Sequence, residues 1–138
     1  MPALTITSAN LALTSSSQLL EIEPHLFGEA GTAGAAYYRK ASDNKLWLGD
    51  NGTAEEAVVI GILVTPTVAA NGSGLLVIAG QLIIGGTMVE GVTYALATGG
   101  QIIPIDELVS TELTTIIGTA SSTTVLDLAI QVTGIEQP

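Results

Sequence analysis

Cysteine is absent from this 138-residue chain. That removes disulfide scaffolds, thiolate metal sites and cysteine nucleophiles together. It leaves the compartment open, because a chain without thiols suits reducing and oxidising surroundings alike. Basic residues are scarce too: Lys and Arg number 3 against 13 Asp and Glu, for a net charge of −10. Nucleic-acid phosphates are held by Lys and Arg, so no nucleic-acid partner is expected. The three cations, Arg39, Lys40 and Lys45, share one short stretch with Asp43 among them, which reads as a solvated hairpin. Aromatics are 4% of the chain. Three Tyr, one Trp and one Phe cannot furnish the girdles of a membrane barrel or the sugar platforms of a glycosidase cleft. The N-terminal MPALTITSANLALTSSS has no positive region ahead of a compact apolar segment, so no secretory signal is expected.

Charge is missing altogether from Ala57 to Val89. A membrane-spanning helix needs about 20 predominantly apolar residues, and this stretch has the length. Pro66, the cluster Asn71-Gly72-Ser73-Gly74 and the pair Gly85-Gly86 cut it, however. The pieces Ala57–Val64 and Leu75–Ala79 have strand lengths and are rich in β-branched residues. The stretch therefore predicts buried strands and no membrane partner. The length suits one domain, which buries roughly two-thirds of the surface its unfolded chain exposes.

Turn residues divide the rest in the same way. Ala35–Lys40 and Lys45–Leu48 flank Ser42-Asp43-Asn44 and read as a hairpin, closed by Asp50-Asn51-Gly52. Short strands are expected at Gln18–Ile22, Val58–Val64, Leu75–Ala79, Gln81–Ile84, Thr87–Val89, Thr93–Ala97, Gln101–Ile103, Leu113–Ile117 and Thr124–Val132. Val58–Val64 is apolar almost throughout, as in a strand buried on both faces. Gly80 separates Leu75–Ala79 from Gln81–Ile84. In Thr124–Val132 the alternation puts Leu126, Leu128, Ile130 and Val132 on the core side. Val59-Ile60-Gly61-Ile62 and Ile116-Ile117-Gly118-Thr119 look alike, each with a Gly that permits a kink or a close approach. Asp106–Leu113 follows Pro104 and reads as a loop with one helical turn. The fold class is all-β, a compact β-barrel or β-sandwich of about ten short strands. Residues 18–138 form the domain. Met1–Ser17 is either an extended arm lying on a partner, an ordinary first strand or a frayed terminus.

Signals for chemistry are sparse. The single His25 lies beside Pro24 and Leu26-Phe27, a packed or exposed setting. Ser15-Ser16-Ser17 and Ser121-Ser122 read as turns. Gly28–Gly34 (GEAGTAG) lacks the Lys-Ser/Thr of a phosphate loop and reads as a flexible loop. Glu21 and Glu23 share a strand face if extended, whereas Glu55-Glu56 and Asp106-Glu107 are adjacent pairs that do not converge. Asp43, Asn44, Asp50 and Asn51 offer oxygen ligands, but at no EF-hand spacing, and turn chemistry explains them. Hence no catalytic residue, cofactor or metal is expected, and the chain is read as not an enzyme. Tyr37-Tyr38, Leu46 and Trp47 concentrate aromatics on one hairpin, as an interface centre or as a satellite core. The candidate subunit interface is Leu75, Leu76, Ile78, Leu82 and Ile84, with Tyr37 and Trp47 beside it. Part of this apolar surface is expected to be buried only on assembly.

Tyr38-Arg39-Lys40, then Asp43, Asn44 and Lys45-Leu46-Trp47, resemble the Y-K-x-x-x-D-x-K hairpin of small tailed-phage structural proteins. Val59-Ile60-Gly61-Ile62, Gly72–Ile78, Gly91-Val92-Thr93-Tyr94 and Gly99-Gly100-Gln101-Ile102 resemble the same group. So do Ile117-Gly118-Thr119-Ala120 and Thr124–Ile130. The resemblance runs from about Gly34 to Gly134 and is to head-decoration (capsid cement) proteins, a style shared with some tail, fibre and baseplate components. It implies a β-tulip-like barrel, usually a homotrimer, made in the host cytoplasm. Such proteins sit on the outer surface of the capsid and lock neighbouring major capsid protein subunits. The family has no catalytic residues to carry over.

Overall fold

A computed structural model of the chain describes residues 4, 6, 10–20, 26–85, 88–108 and 112–136. Twelve strands occur among them: β1 (Ala12–Leu13), β2 (Gln18–Leu19), β3 (Gly31–Thr32), β4 (Ala36–Arg39), β5 (Leu46–Leu48), β6 (Val59–Leu63), β7 (Thr67–Val68), β8 (Leu76–Ile83), β9 (Thr93–Leu96), β10 (Ile102–Pro104), β11 (Leu113–Ala120) and β12 (Val125–Glu136). Ten belong to one antiparallel sheet, in the order β10-β9-β11-β12-β8-β6-β4-β5, with β1 and β2 also on β8. The sheet curls into a half-barrel, so the all-β, barrel-like class holds. β3 and β7 form a separate small pair, which makes part of the expected flexible loop at Gly28–Gly34 a paired strand. A single helical turn at Ile105–Glu107 follows Pro104, as the loop there predicts.

The uncharged stretch becomes β6, β7 and β8. Its lack of charge has a direct cause, because β4, β6 and β8 place side chains in two cores at once. Ala36, Tyr38, Val59, Ile62, Val77 and Leu82 enter the larger core with Tyr94, Leu96, Ile117, Leu126 and Leu128. Tyr37, Leu63 and Leu76 enter the smaller one with Phe27, Leu46 and Val68. Where a strand is covered on both sides, as at Ile62-Leu63 of β6 and Leu76-Val77 of β8, it has no solvated face on which to carry a charge. Val58 departs from the expected doubly buried run. It lies just before β6 and is exposed.

Two glycines allow close approach, as the matching segments predict. A Cβ on Gly61 would stand 2.6 Å from the Val77 carbonyl oxygen, and one on Gly118 would stand 2.1 Å from that of Asp127. Gly80 acts differently from expectation, since β8 runs through it unbroken. Its φ of +86° bends the strand, and the backbone of Ser16 packs where a Cβ would be. Residues 10–20 therefore lie along β8 as a strap. Ala12 and Leu13 pair with Ile83 and Leu82, and Gln18 and Leu19 pair with Ala79 and Val77. The hydroxyls of Ser17 and Thr14 donate to the Gln81 carbonyl, and the Gln81 N–H donates to Ser16 Oγ. Leu4 is buried in the larger core, and its N–H donates to the Ile102 carbonyl at 2.8 Å. The described part of Met1–Ser17 thus packs on its own domain. Glu21, Ile22 and Thr87 lie outside the described residues, and Val89 belongs to no strand.

β12 is longer than its alternation suggests. Leu126 and Leu128 are buried as expected, but Ile130 is only half-buried and Val132 is exposed. Register shifts against β11, between Thr114 and Thr115 and between Ile116 and Gly118, break the period of two. Pairing with β8 ends at Ala129. From there β11 and β12 continue as a two-stranded ribbon whose residues 131–136 are all exposed.

Candidate assembly surface

The structure corrects much of the interface assignment. Tyr37, Leu76, Leu82 and Ile84 are core residues, each at most 1% exposed. They have no surface to give a partner. The reason is that Tyr37 and Leu76 fill the smaller core and Leu82 and Ile84 the larger one, so the apolar excess read as spare is used inside one chain. Leu75, Ile78 and Trp47 are half-buried. Ile78 lines an open groove with Ser17, Gln18 and Leu19 of the strap.

Trp47 is held on several sides. Its ring rests over Gly28, where a Cβ would come within 2.1 Å of it, and the Lys40 ammonium sits 4.7 Å from the ring centroid. Its indole N–H donates to Asp43 Oδ2 at 3.0 Å. Asp43 also accepts the Lys45 N–H at 2.9 Å. That backbone bond, with the indole N–H and the nearby lysines, holds the Asp43 carboxyl below its ordinary range. Lys45 Nζ donates to Asn71 Oδ1 at 2.5 Å, and Arg39 Nη1 donates to the Asn44 carbonyl at 2.9 Å. Asn44, at φ 58°, turns the chain. The hairpin tip is thus closed by its own side chains, as the turn chemistry of Ser42-Asp43-Asn44 predicts.

Four further carboxylates are similarly occupied. Asp50 accepts the N–H groups of Gly52 and Gly99. Glu55 accepts the Ala41 N–H, Glu56 the Thr53 hydroxyl and Glu29 the Leu48 N–H. Asn51 is buried and donates to the Leu96 carbonyl. Asp43, Asn44, Asp50 and Asn51 therefore perform separate local tasks. Among the described residues no group of three His, Asp or Glu is placed to hold a metal. His25, Glu21 and Glu23 lie outside the described residues. No described helix is long and apolar enough to cross a membrane.

The buried tyrosines make the fold sensitive to alkali. Tyr37 Oη accepts the Thr32 N–H at 2.6 Å, and its ring meets Phe27 edge-on at 4.9 Å. Burial raises its pKa above the ordinary value, against the opposing pull of that hydrogen bond. Burial, then Glu56 and Glu55, raise that of Tyr38. An unfolded tyrosine ionises near pH 10 while the folded one keeps its proton. The stability is thus whole below about pH 10 and is lost as pH rises through the folded values. The thermal midpoint should fall steeply above about pH 10, and Tyr37→Phe should flatten that fall. An unchanged slope in the variant would remove Tyr37 as a cause.

What sequence reasoning missed is the ribbon. Its exposed large apolar residues are Val132, 41% exposed, and Ile135, 66% exposed. The sheet's other margins are covered. Along β5, the Leu46 N–H donates to the Leu26 carbonyl, and Gly28 and Leu48 add bonds of their own. Leu4 bonds to β10, and the strap covers β8. The sequence signal was the length of the run Leu128–Ile135, which outlasts the core it serves. No protein-family model, curated protein or solved structure matches this chain.

Proposed function

We propose that this chain is a structural protein of a virion. It decorates the outer surface of the capsid and stabilises contacts between major capsid protein subunits. The observation that carries this reading is the end of β12 beyond Ala129, where Val132 and Ile135 stand exposed on the surface. Exposed apolar side chains held on a rigid sheet suit an interface. Cement action needs contact area multiplied by symmetry, so that weak single contacts add up by avidity. The resemblance of the hairpin and glycine spacings to decoration proteins supports the same reading and implies three copies.

The test is binding to purified capsids. The chain should pellet with expanded capsids, at a saturating ratio set by the capsid lattice, and raise their resistance to heat. Failure to bind, with labelled protein instead found at a vertex or tail, would favour the second reading as a tail, fibre or baseplate module.

A further inference from the structure

We propose that the cleft between the β4–β5 hairpin and the loops facing it binds a guanidinium group, the head of an arginine side chain or of a free guanidino compound. The inference does not rest on the decoration reading, and its test needs no capsid. The cleft has a volume of about 320 Å³, and Glu29, Tyr38, Lys40, Trp47, Asp50 and Glu56 line it. Tyr38 and Trp47 stand opposite each other across the hairpin, so their rings share a face. The three carboxylates come from separate loops and are half-buried. Each is held by neutral donors: Glu29 by the Leu48 N–H, Asp50 by those of Gly52 and Gly99, Glu56 by the Thr53 hydroxyl. Such bonds fix a carboxylate in place without cancelling its charge. Against three carboxylates the cleft sets one ammonium, that of Lys40, and so stays negative.

Tyr38 is the independent sign of a ligand. It is only 5% exposed, and a phenol so enclosed ordinarily finds a partner within the protein. Its neighbour Tyr37 does, accepting the Thr32 N–H. The Tyr38 hydroxyl has no hydrogen-bond partner among the described residues. Nor is it sealed in the core, since its oxygen is not among the fully buried unpartnered atoms. It opens on the cleft that its residue lines, within the fields of Glu56 and Glu29. The missing partner therefore comes from outside the chain, and the surrounding charge requires it to be a cation with N–H groups to donate.

The spacing of the acceptors selects the kind of cation. Among the described residues no three carboxylates are placed to hold a metal ion, so those of the cleft surround a volume instead of converging on a point. A compact charge, whether a divalent ion or an ammonium, meets such a ring poorly. A guanidinium is a planar fork of five N–H donors and reaches acceptors that stand apart. Its flat face also stacks on an indole. The Lys40 ammonium, 4.7 Å from the centroid of the Trp47 ring, shows that this ring already attracts a cation. Lys40 is thus the chain's own competitor for the site.

The experiment is a titration of the isolated full chain. Trp47 is its single tryptophan, so fluorescence reports on the cleft, and calorimetry checks it. Nα-acetyl-arginine amide should bind saturably, with a dissociation constant of about 1 mM that weakens with salt. Its citrulline analogue, of the same shape but uncharged, should not bind. A short peptide with one arginine separates the two sources: tighter binding than the amide assigns the site to a partner protein's side chain, equal binding to a free guanidino compound. Tyr38→Phe should weaken binding about tenfold without lowering the thermal midpoint, because the hydroxyl bonds nothing within the described chain. Glu56→Gln keeps an acceptor for Thr53 and should weaken binding about threefold. Lys40→Met should tighten it about threefold, as the competing cation is gone. Glu90→Gln, on an exposed turn outside the cleft, should change nothing. Absence of binding by the arginine amide overturns the proposal, as does equal binding of the citrulline analogue or of a neutral sugar. Wild-type affinity in Tyr38→Phe, or weaker binding in Lys40→Met, overturns it as well.

Discussion

Leu82→Ala is expected to lower the unfolding free energy by about 3 kcal/mol, which for a chain of this size is a drop of about 10 °C in thermal midpoint. Leu82 is 0% exposed in the larger core. It pairs across β8 with Leu126 of β12 on one side and Leu13 of β1 on the other. β12, on one side, is itself held by β11, so the vacated volume cannot collapse fully. A void with fixed walls loses the dispersion contacts of its whole lining as well as the transfer energy of the deleted atoms. The variant also separates core from interface, because at temperatures where it remains folded its association should match that of the wild type. Equilibrium denaturation combined with light scattering reads both quantities. Weakened association at unchanged stability would return Leu82 to the subunit interface.

Gly80→Ala is expected to release the strap. The substitution places a Cβ 1.8 Å from the Ser16 carbonyl oxygen, at a φ of +86°. The conformational part costs about 1–2 kcal/mol for any L-residue. The steric part has two ways out: β8 moves, or the strap leaves. β8 is anchored by β6 and β12, whereas Ala12, Leu13, Ser15, Ser16 and Gln18 of the strap are exposed. The strap is the weaker partner, so its own binding energy caps the loss, for a total of about 2–4 kcal/mol. Amide hydrogen exchange shows where the loss falls. Protection should vanish at Leu13, Leu19 and Gln81, while Tyr94 to Leu96 of β9 keep theirs. Retained protection along the strap would mean that β8 yields instead.

These cases show what was legible in the sequence. The hairpin of β4 and β5 was readable because its signals are local. Asp43 and Asn44 hold the turn through bonds to residues at most four positions away. β6 was readable because burial on both faces leaves a continuous apolar run. The same rule hid the role of β8. A strand sandwiched between two cores and a strand with a spare face for a partner have the same composition, and only tertiary contacts tell them apart. Gly80 was read as a break because the partner that its bend accommodates, Ser16, lies far away in sequence. β12 beyond Leu128 was misread for a related reason: the alternation rule assumes an unbroken register, and bulges against β11 shift it. The absence of a thiolate site followed from composition. The location of the exposed apolar surface did not, since it depends on where the core ends.

The position of β8 has a consequence for synthesis. It takes partners from both directions along the chain: β1 and β2 well before it, β6 shortly before and β12 long after. On the ribosome, Leu76 to Ile83 emerge while the strand that will seal one margin is still untranslated. At several residues per second the exposed interval lasts several seconds. During it the nascent chain displays its least soluble segment, with the early carboxylates as its main means of repelling neighbours. The pairings also span long loops, which places folding on the slow side for a domain of this size. A cell that makes this protein in quantity therefore has to keep an adhesive intermediate apart from its copies until the final strand arrives.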